Sequence, residues 1–93
     1  MKVKVELIGA LQGNTSGKMH EVEFDEAVNV LALIRELAKL QGALYGILGS
    51  GTSSLKSNVL ILVNDREISV LEGLETRLCD GDRVTIVPVS HGG

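Results

Sequence analysis

The chain predicts an α+β fold: a mixed sheet of four to five strands with one main helix packed on one face. Three observations carry that expectation. Apolar and polar residues alternate with period two near both ends of the chain, and one central stretch changes to three-and-four spacing. A continuous aliphatic run, Val59 to Val63, then lies between that stretch and the last alternating segment. With 93 residues the chain holds a single domain with a small core.

Val3, Val5 and Leu7 alternate with Lys2, Lys4 and Glu6, the pattern of a half-buried strand that Ile8 extends and Gly9 ends. Gly13 to Gly17, with Asn14, Thr15 and Ser16 between them, reads as a polar loop with a mobile tip. Met19, Val22 and Phe24, interleaved with His20, Glu21 and Glu23, predict a second strand running antiparallel to the first, with His20 on its surface. From Asn29 to Gln41 the period is helical: Val30, Leu33, Ile34, Leu37 and Leu40 form one stripe, and Arg35, Glu36 and Lys39 lie on the other side. Asn29 is placed to cap this helix, with Asp25 a rival one turn earlier.

Residues 42–58 are rich in Gly and Ser and read as a long flexible connection, with a short turn near Leu44 to Leu48. The run Val59 to Val63 predicts a strand covered on both faces or nearly so. Asn64-Asp65-Arg66 supplies a tight turn, and Glu67-Ile68-Ser69 a short return strand. Leu71 to Leu78 is irregular, and Asp80-Gly81-Asp82 is a second turn. Arg83 to Val87 closes the domain as a strand with Val84 and Ile86 on one face and Thr85 and Val87 on the other. If the first and last strands pair in parallel at the centre, the helix crosses one face and buries its leucines there. That arrangement is a β-grasp, the ubiquitin-like fold, over residues 1–88, followed by a flexible tail at 89–93.

Composition removes several classes of function. Nine basic against twelve acidic side chains leave a net charge of −3, and Phe24 and Tyr45 supply the only aromatics, so direct nucleic-acid binding is not expected. No apolar run approaches the length of a membrane span, and the alternating N-terminus lacks the apolar centre of a signal peptide, so a cytoplasmic protein without membrane contact is expected. Catalytic and metal-binding sets are equally thin. Cys79 stands alone, which excludes a disulfide or zinc cage within the chain, and it reads as a small packed residue before a turn. His20 and His91 have no ligand spacing around them, and the carboxylates are dispersed. Gly13 to Lys18 is similar to a phosphate loop, but it is one residue short and has Met19 where Ser or Thr is needed. No catalytic residue, bound cofactor or metal site is assigned.

The C-terminus carries the chemistry that remains. After the last strand come Pro88, Val89, Ser90, His91, Gly92 and Gly93. Proline removes a backbone donor and halts pairing, and two glycines bear the largest ordering cost of any residue. A frayed end and a functional tail both fit that composition. As a functional tail, Gly93 offers a carboxylate for activation, while His91 and Gly92 thread it through a narrow channel. A carboxylate is a poor electrophile until joined to phosphate, so a second protein must prime it.

Leu62-Val63-Asn64-Asp65-Arg66-Glu67-Ile68, Gly73-Leu74-Glu75-Thr76-Arg77-Leu78 and Asp80-Gly81-Asp82-Arg83-Val84-Thr85-Ile86-Val87-Pro88, closing on Gly92-Gly93, resemble the ThiS/MoaD family of ubiquitin-like sulfur carriers. The resemblance is detailed from Leu62 onward and extends over the chain in element order. It implies a carrier with no catalytic residues of its own, whose Gly93 is adenylated by an E1-like adenylyltransferase that consumes ATP. A sulfurtransferase or persulfide donor then makes a thiocarboxylate for a pterin precursor or a tRNA uridine. The partners implied are therefore the activating enzyme, the sulfur donor, and a molybdopterin synthase large subunit, a tRNA thiolase or target-protein lysines. In the modifier branch of the family, Gly93 is instead joined to lysines by an isopeptide bond. Val87 stands where molybdopterin-synthase small subunits carry an aromatic, and Val89 replaces a second proline. Ser90-His91-Gly92-Gly93 is closer to the end of the ubiquitin-related modifier. If Val84 and Ile86 face the helix, then Val87, Val89 and one alternate set of residues 59–63 form an aliphatic docking surface on the opposite face.

Overall fold

A computed structural model of the chain describes residues 1–8, 19–40 and 59–88. The strands are β1 (Lys2–Leu7), β2 (Met19–Glu23), β3 (Val59–Val63), β4 (Arg66–Glu67) and β5 (Arg83–Pro88), with one helix, α1 (Val30–Leu40). Their order across the sheet is β2-β1-β5-β3-β4. β1 and β5 pair in parallel at the centre, with Val5 beside Val84 and Leu7 beside Ile86, and the remaining pairs are antiparallel. This is the mixed sheet with one helix that the element order predicts, a β-grasp. The loop expectations at 13–17 and 42–58, the side chain of Leu40 and the tail from Val89 to Gly93 fall outside the described residues.

The helix forms where the apolar period is 3.6, and Asn29 caps it. Its Oδ1 accepts the N–H of Ala32 at 2.9 Å, while Asp25 stays exposed in a bend. Val30, Leu33, Ile34 and Leu37 are buried against Val3, Val5, Leu7, Val22, Ile61, Val84 and Ile86 of the sheet. Each such side chain contributes about 1.5–3 kcal/mol when buried. The helix start is tied to the chain ahead of β5: Val30 N–H donates to the Thr76 carbonyl at 3.0 Å, and Leu78 N–H to that of Val28 at 2.9 Å.

Two turns fasten the central strand at its start. Asp82 N–H closes a turn on the Cys79 carbonyl at 3.0 Å, and Gly81 occupies φ +87°, which residues with a Cβ avoid. Gly81 N–H donates to the Lys2 carbonyl at 2.7 Å, and Lys2 N–H to Asp80 Oδ1 at 2.7 Å, so the turn grips β1. Asn64 and Asp65 both have positive φ (50° and 71°), the geometry a two-residue hairpin between β3 and β4 requires. The Asn64 amide donates to Asp82 Oδ1 at 2.9 Å and accepts from Arg83 N–H at 3.0 Å, joining one turn to the other.

Five local expectations need correction. β3 is not covered on both faces: Leu60 is 39% exposed and Leu62 is half-buried, because the helix covers one side only. The return strand is Arg66–Glu67, and Ile68–Val70 is a 3₁₀ turn instead. The Glu67 carboxylate bonds both the hydroxyl and the N–H of Ser69, which turns the chain at once. On β2, Met19 is 46% exposed whereas Val22 is buried. Two residues three apart cannot share a strand face, and His20, two before Val22, takes the inner side opposite Val5. The His20 ring is half-buried, with Nε2 shielded from solvent and without a hydrogen-bond partner among the described residues. Cys79 is exposed rather than packed, because Leu78 occupies the buried place and the next residue points outward into the turn. Finally, β1 stops at Leu7, although Ile8 N–H still reaches the Ile86 carbonyl at 3.0 Å.

Candidate functional site

The site is built on the strand that leads to the tail. β5 lies in the middle of the sheet, held by β1 on one side and β3 on the other, and Pro88 ends it opposite Val59. Proline has no N–H to donate to the ladder at that position. Val89, His91, Gly92 and Gly93 lie outside the described residues. Of the expected site residues, the structure describes Val87. It is half-buried on the face away from the helix, directly opposite Leu60.

Strand register assembles the rest of that outer face. Thr85 is flanked by Glu6 of β1 and Leu62 of β3, and Glu6 in turn by Met19 of β2. Ile8 lies just beyond β1, two residues after Glu6, where its N–H still bonds the Ile86 carbonyl, and it is half-buried. The half of the face nearest the tail therefore presents Ile8, Met19, Leu60, Leu62 and Val87. Leu60 and Leu62 are the alternate set expected from residues 59–63. Met19 and Ile8 were not anticipated there; the odd spacing between Met19 and Val22 is the signal that separates them.

The other half of the face is charged. Lys2 faces Glu23 and Lys4 faces Glu21 across the β1–β2 pair, and Lys2 Nζ lies 4.0 Å from a Glu21 oxygen. The Arg83 guanidinium holds both oxygens of Asp65 at 3.0 Å. Glu67 stands opposite Leu62 at the edge of the apolar half, and the hydrogen bonds from the Ser69 hydroxyl and N–H keep its carboxyl below the usual range. Such exposed pairs contribute little to stability but make the two halves electrostatically distinct.

Other groups lie away from this end. Cys79 precedes β5, whose six residues at about 3.3 Å each separate it from Pro88 by roughly 17–20 Å. An open crevice of about 310 Å³ beside the helix start is lined by Ala27, Val28, Asn29, Ala32, Glu75 and Arg77. Among the described residues no group of three or more His, Cys, Asp or Glu could hold a metal ion. No helix among them is long and apolar enough to cross a membrane.

A small β-grasp domain whose central strand runs into a diglycine tail defines a ubiquitin-like carrier or modifier, and comparison with known proteins narrows that class. The family model of the ThiS family matches residues 5–93. A candidate sulfur carrier protein of Archaeoglobus fulgidus is 35% identical over 74 residues, covering 78% of this chain and 84% of that protein. The solution structure of small archaeal modifier protein 1 from Methanosarcina acetivorans superposes with a TM-score of 0.78 at 30% identity, covering 99% of this chain and 96% of that one. CysO from Amycolatopsis orientalis, solved as a BexX/CysO complex, has a TM-score of 0.67 at 27% identity and covers 98% of this chain and 99% of that one. The chain belongs to the ThiS family, small ubiquitin-like carrier proteins among which sulfur carriers and modifiers both occur.

Proposed function

We propose that this protein is a sulfur carrier whose Gly93 carboxylate is activated and then converted to a thiocarboxylate. A carboxylate oxygen attacks the α-phosphorus of ATP held by an E1-like adenylyltransferase, and pyrophosphate leaves. The terminal sulfur of the donor's persulfide then attacks the carbonyl carbon, and AMP leaves. A second thiol cleaves the resulting acyl disulfide, releasing the thiocarboxylate while that thiol and the donor sulfur end as a disulfide. The sulfur goes on to a pterin precursor or a tRNA uridine. ATP belongs to the activating enzyme, and this chain binds no cofactor. The reading places the work in the cytoplasm, where activating enzyme and nucleotide are available.

The observation that carries this is the match to the ThiS family through residue 93, together with a β5 that delivers the tail from the centre of a rigid sheet. The outer apolar half around Val87 is the surface on which the activating enzyme or a larger subunit docks, and Val89 is the further contact expected from the sequence. Gly92 and His91 thread the channel behind Gly93. Support for a docked partner comes from CysO, solved in a complex with BexX. A molybdopterin synthase large subunit or a tRNA thiolase fits the same role. Incubation with the cognate activating enzyme, ATP and a sulfur donor raises the intact mass by about 16 Da, the exchange of O for S. No adenylate and no mass gain would refute the reading.

A second reading is a protein modifier, joined through Gly93 to target lysines. It is favoured by the 30% identity to small archaeal modifier protein 1 and by the His91-Gly92-Gly93 end. It predicts Gly-Gly remnants on lysines of other proteins in cells, lost when Gly93 is deleted. Both readings start from the same acyl-adenylate.

A further inference from the structure

We propose that Glu6 is the charge that selects the docking partner, by pairing with a single Lys or Arg set within an apolar surface of the activating enzyme. This rests on the carrier reading and names the chemistry that the enzyme's docking surface must have.

The outward residues of β1 are Lys2, Lys4 and Glu6. Lys2 has Glu23 across from it and Lys4 has Glu21, so those two positions are compensated within the sheet. Arg83 beside Lys4 is committed to Asp65 through two 3.0 Å bonds. The pattern of paired charges stops at Glu6. Its cross-strand neighbours are Met19 on one side and Thr85 on the other, Leu62 lies beyond Thr85, and Ile8 follows it just beyond β1. Directly opposed Cβ atoms stand about 4.5–5.5 Å apart, so these are the groups that surround the carboxylate. Glu6 is half-buried where Lys2 and Lys4 are exposed, and among the described residues its carboxylate has no hydrogen bond and no ion pair.

A protein that covers this half of the face removes water from Glu6. An ionised carboxylate buried without a partner carries a penalty of several kcal/mol, which exceeds what one adjoining aliphatic contributes. A partner with an uninterrupted apolar surface is therefore rejected, and one that places a cation opposite Glu6 is accepted. Glu67, opposite Leu62, borders the same patch, but its carboxylate is bonded to Ser69. Glu6 is therefore the acid of this half that has no bonded partner among the described residues, and it makes a discriminating mark because aliphatic contacts alone separate partners poorly. The same charge also speeds encounter with a basic surface.

The test measures pyrophosphate release by the adenylyltransferase of the same organism against carrier concentration, for wild type, Glu6→Gln, Glu6→Lys and Glu23→Gln. Glu6→Gln raises KM about tenfold with kcat unchanged, and Glu6→Lys raises it further. The salt dependence of kcat/KM is shallower for Glu6→Gln than for wild type. Glu23→Gln, on the same face but in the compensated half, leaves KM within about twofold. Unchanged thermal unfolding of Glu6→Gln separates this effect from misfolding. An unchanged KM for Glu6→Gln, or an equal rise for Glu23→Gln, overturns the inference and leaves the carrier reading standing. A wild-type chain that releases no pyrophosphate overturns both.

Discussion

Ile86 and Val87 are neighbours on β5 that face opposite ways, so the same truncation at each position separates folding from docking. Ile86 is fully buried, lying beside Leu7 and Ile61 on the inner face of the sheet. Ile86→Ala removes three carbons at a site that cannot collapse without moving the central strand, costing about 3–4 kcal/mol. In a domain of this size each kcal/mol lowers the unfolding midpoint by about 4–8 °C, so the midpoint falls by about 12–32 °C. Val87→Ala removes two carbons from the outer face, where full burial would contribute about 1.6 kcal/mol. The side chain is already half-buried, which leaves about 0.8 kcal/mol for docking, or roughly a fourfold rise in KM for adenylation. Thermal unfolding and pyrophosphate release, both read below the lower midpoint, give the two numbers. If Val87→Ala loses as much stability as Ile86→Ala, the assignment of faces on β5 is wrong. If it leaves KM unchanged, the outer face is not where the activating enzyme sits.

Three further outcomes are expected. A chain extended by one residue beyond Gly93 that cannot be trimmed keeps its unfolding midpoint but gains no mass of about 16 Da on incubation with activating enzyme, ATP and sulfur donor. Asn29→Ala leaves the Ala32 N–H without its 2.9 Å acceptor and costs about 1 kcal/mol, read as a midpoint lower by about 4–8 °C. Ser69→Ala returns the Glu67 carboxyl toward its ordinary pKa, visible in an NMR titration of its side-chain carbon. Because the folded-state pKa of Glu67 is depressed, its contribution to stability is present above the unfolded-state pKa and lost as pH falls through the folded one. Ser69→Ala therefore flattens the acid limb of the stability–pH curve.

Residues whose pattern spans a whole element were read correctly from sequence. Val30, Leu33, Ile34 and Leu37 repeat at helical spacing, and a capped helix with that buried stripe follows from it. Val3, Val5 and Leu7, like Val84 and Ile86, alternate cleanly, and both strands bury those residues. The errors fall where local pattern leaves the choice to tertiary contacts. Val59 to Val63 is apolar at every position, so nothing in the run tells that the helix shields Val59, Ile61 and Val63 alone. Met19 is a hydrophobe at the edge of the sheet; its odd spacing from Val22 shows that the two face opposite ways, and the pairing of Val22 with Val3 decides that Met19 is the outward one. Glu67 ends its strand early through a side-chain bond to a residue two positions on, a competition that composition does not weigh. The outer face of β5 was legible through Val87, whereas the setting of Glu6 was not, because its distinction is that no cation stands across the strands from it among the described residues.

The residues that carry the family resemblance most visibly lie at the opposite end of β5 from the tail, and their contacts explain why. Asp80, Gly81 and Asp82 bind backbone of β1 and of the turn itself, and Asn64 links that turn to the β3–β4 hairpin. None of them is near Pro88, so none serves the chemistry of a terminal carboxylate directly. Their contribution is mechanical: they fix β5 in register with β1 and β3, which sets where the strand ends and how Val87 and Leu60 stand side by side. An enzyme that recognises the outer face while receiving the tail in its nucleotide site needs a constant distance between the two. Asp82→Ala tests this, because it removes an acceptor of the Cys79 N–H at 2.7 Å and of the Asn64 amide at 2.9 Å, both on exposed groups. The expected result is a loss of about 1–2 kcal/mol in stability, read by denaturant unfolding. At temperatures where the variant stays folded, kcat for adenylation falls more than KM rises, since the face is intact and the tail is presented less uniformly. A rise in KM alone would show that β5 register matters to docking and not to presentation of the tail.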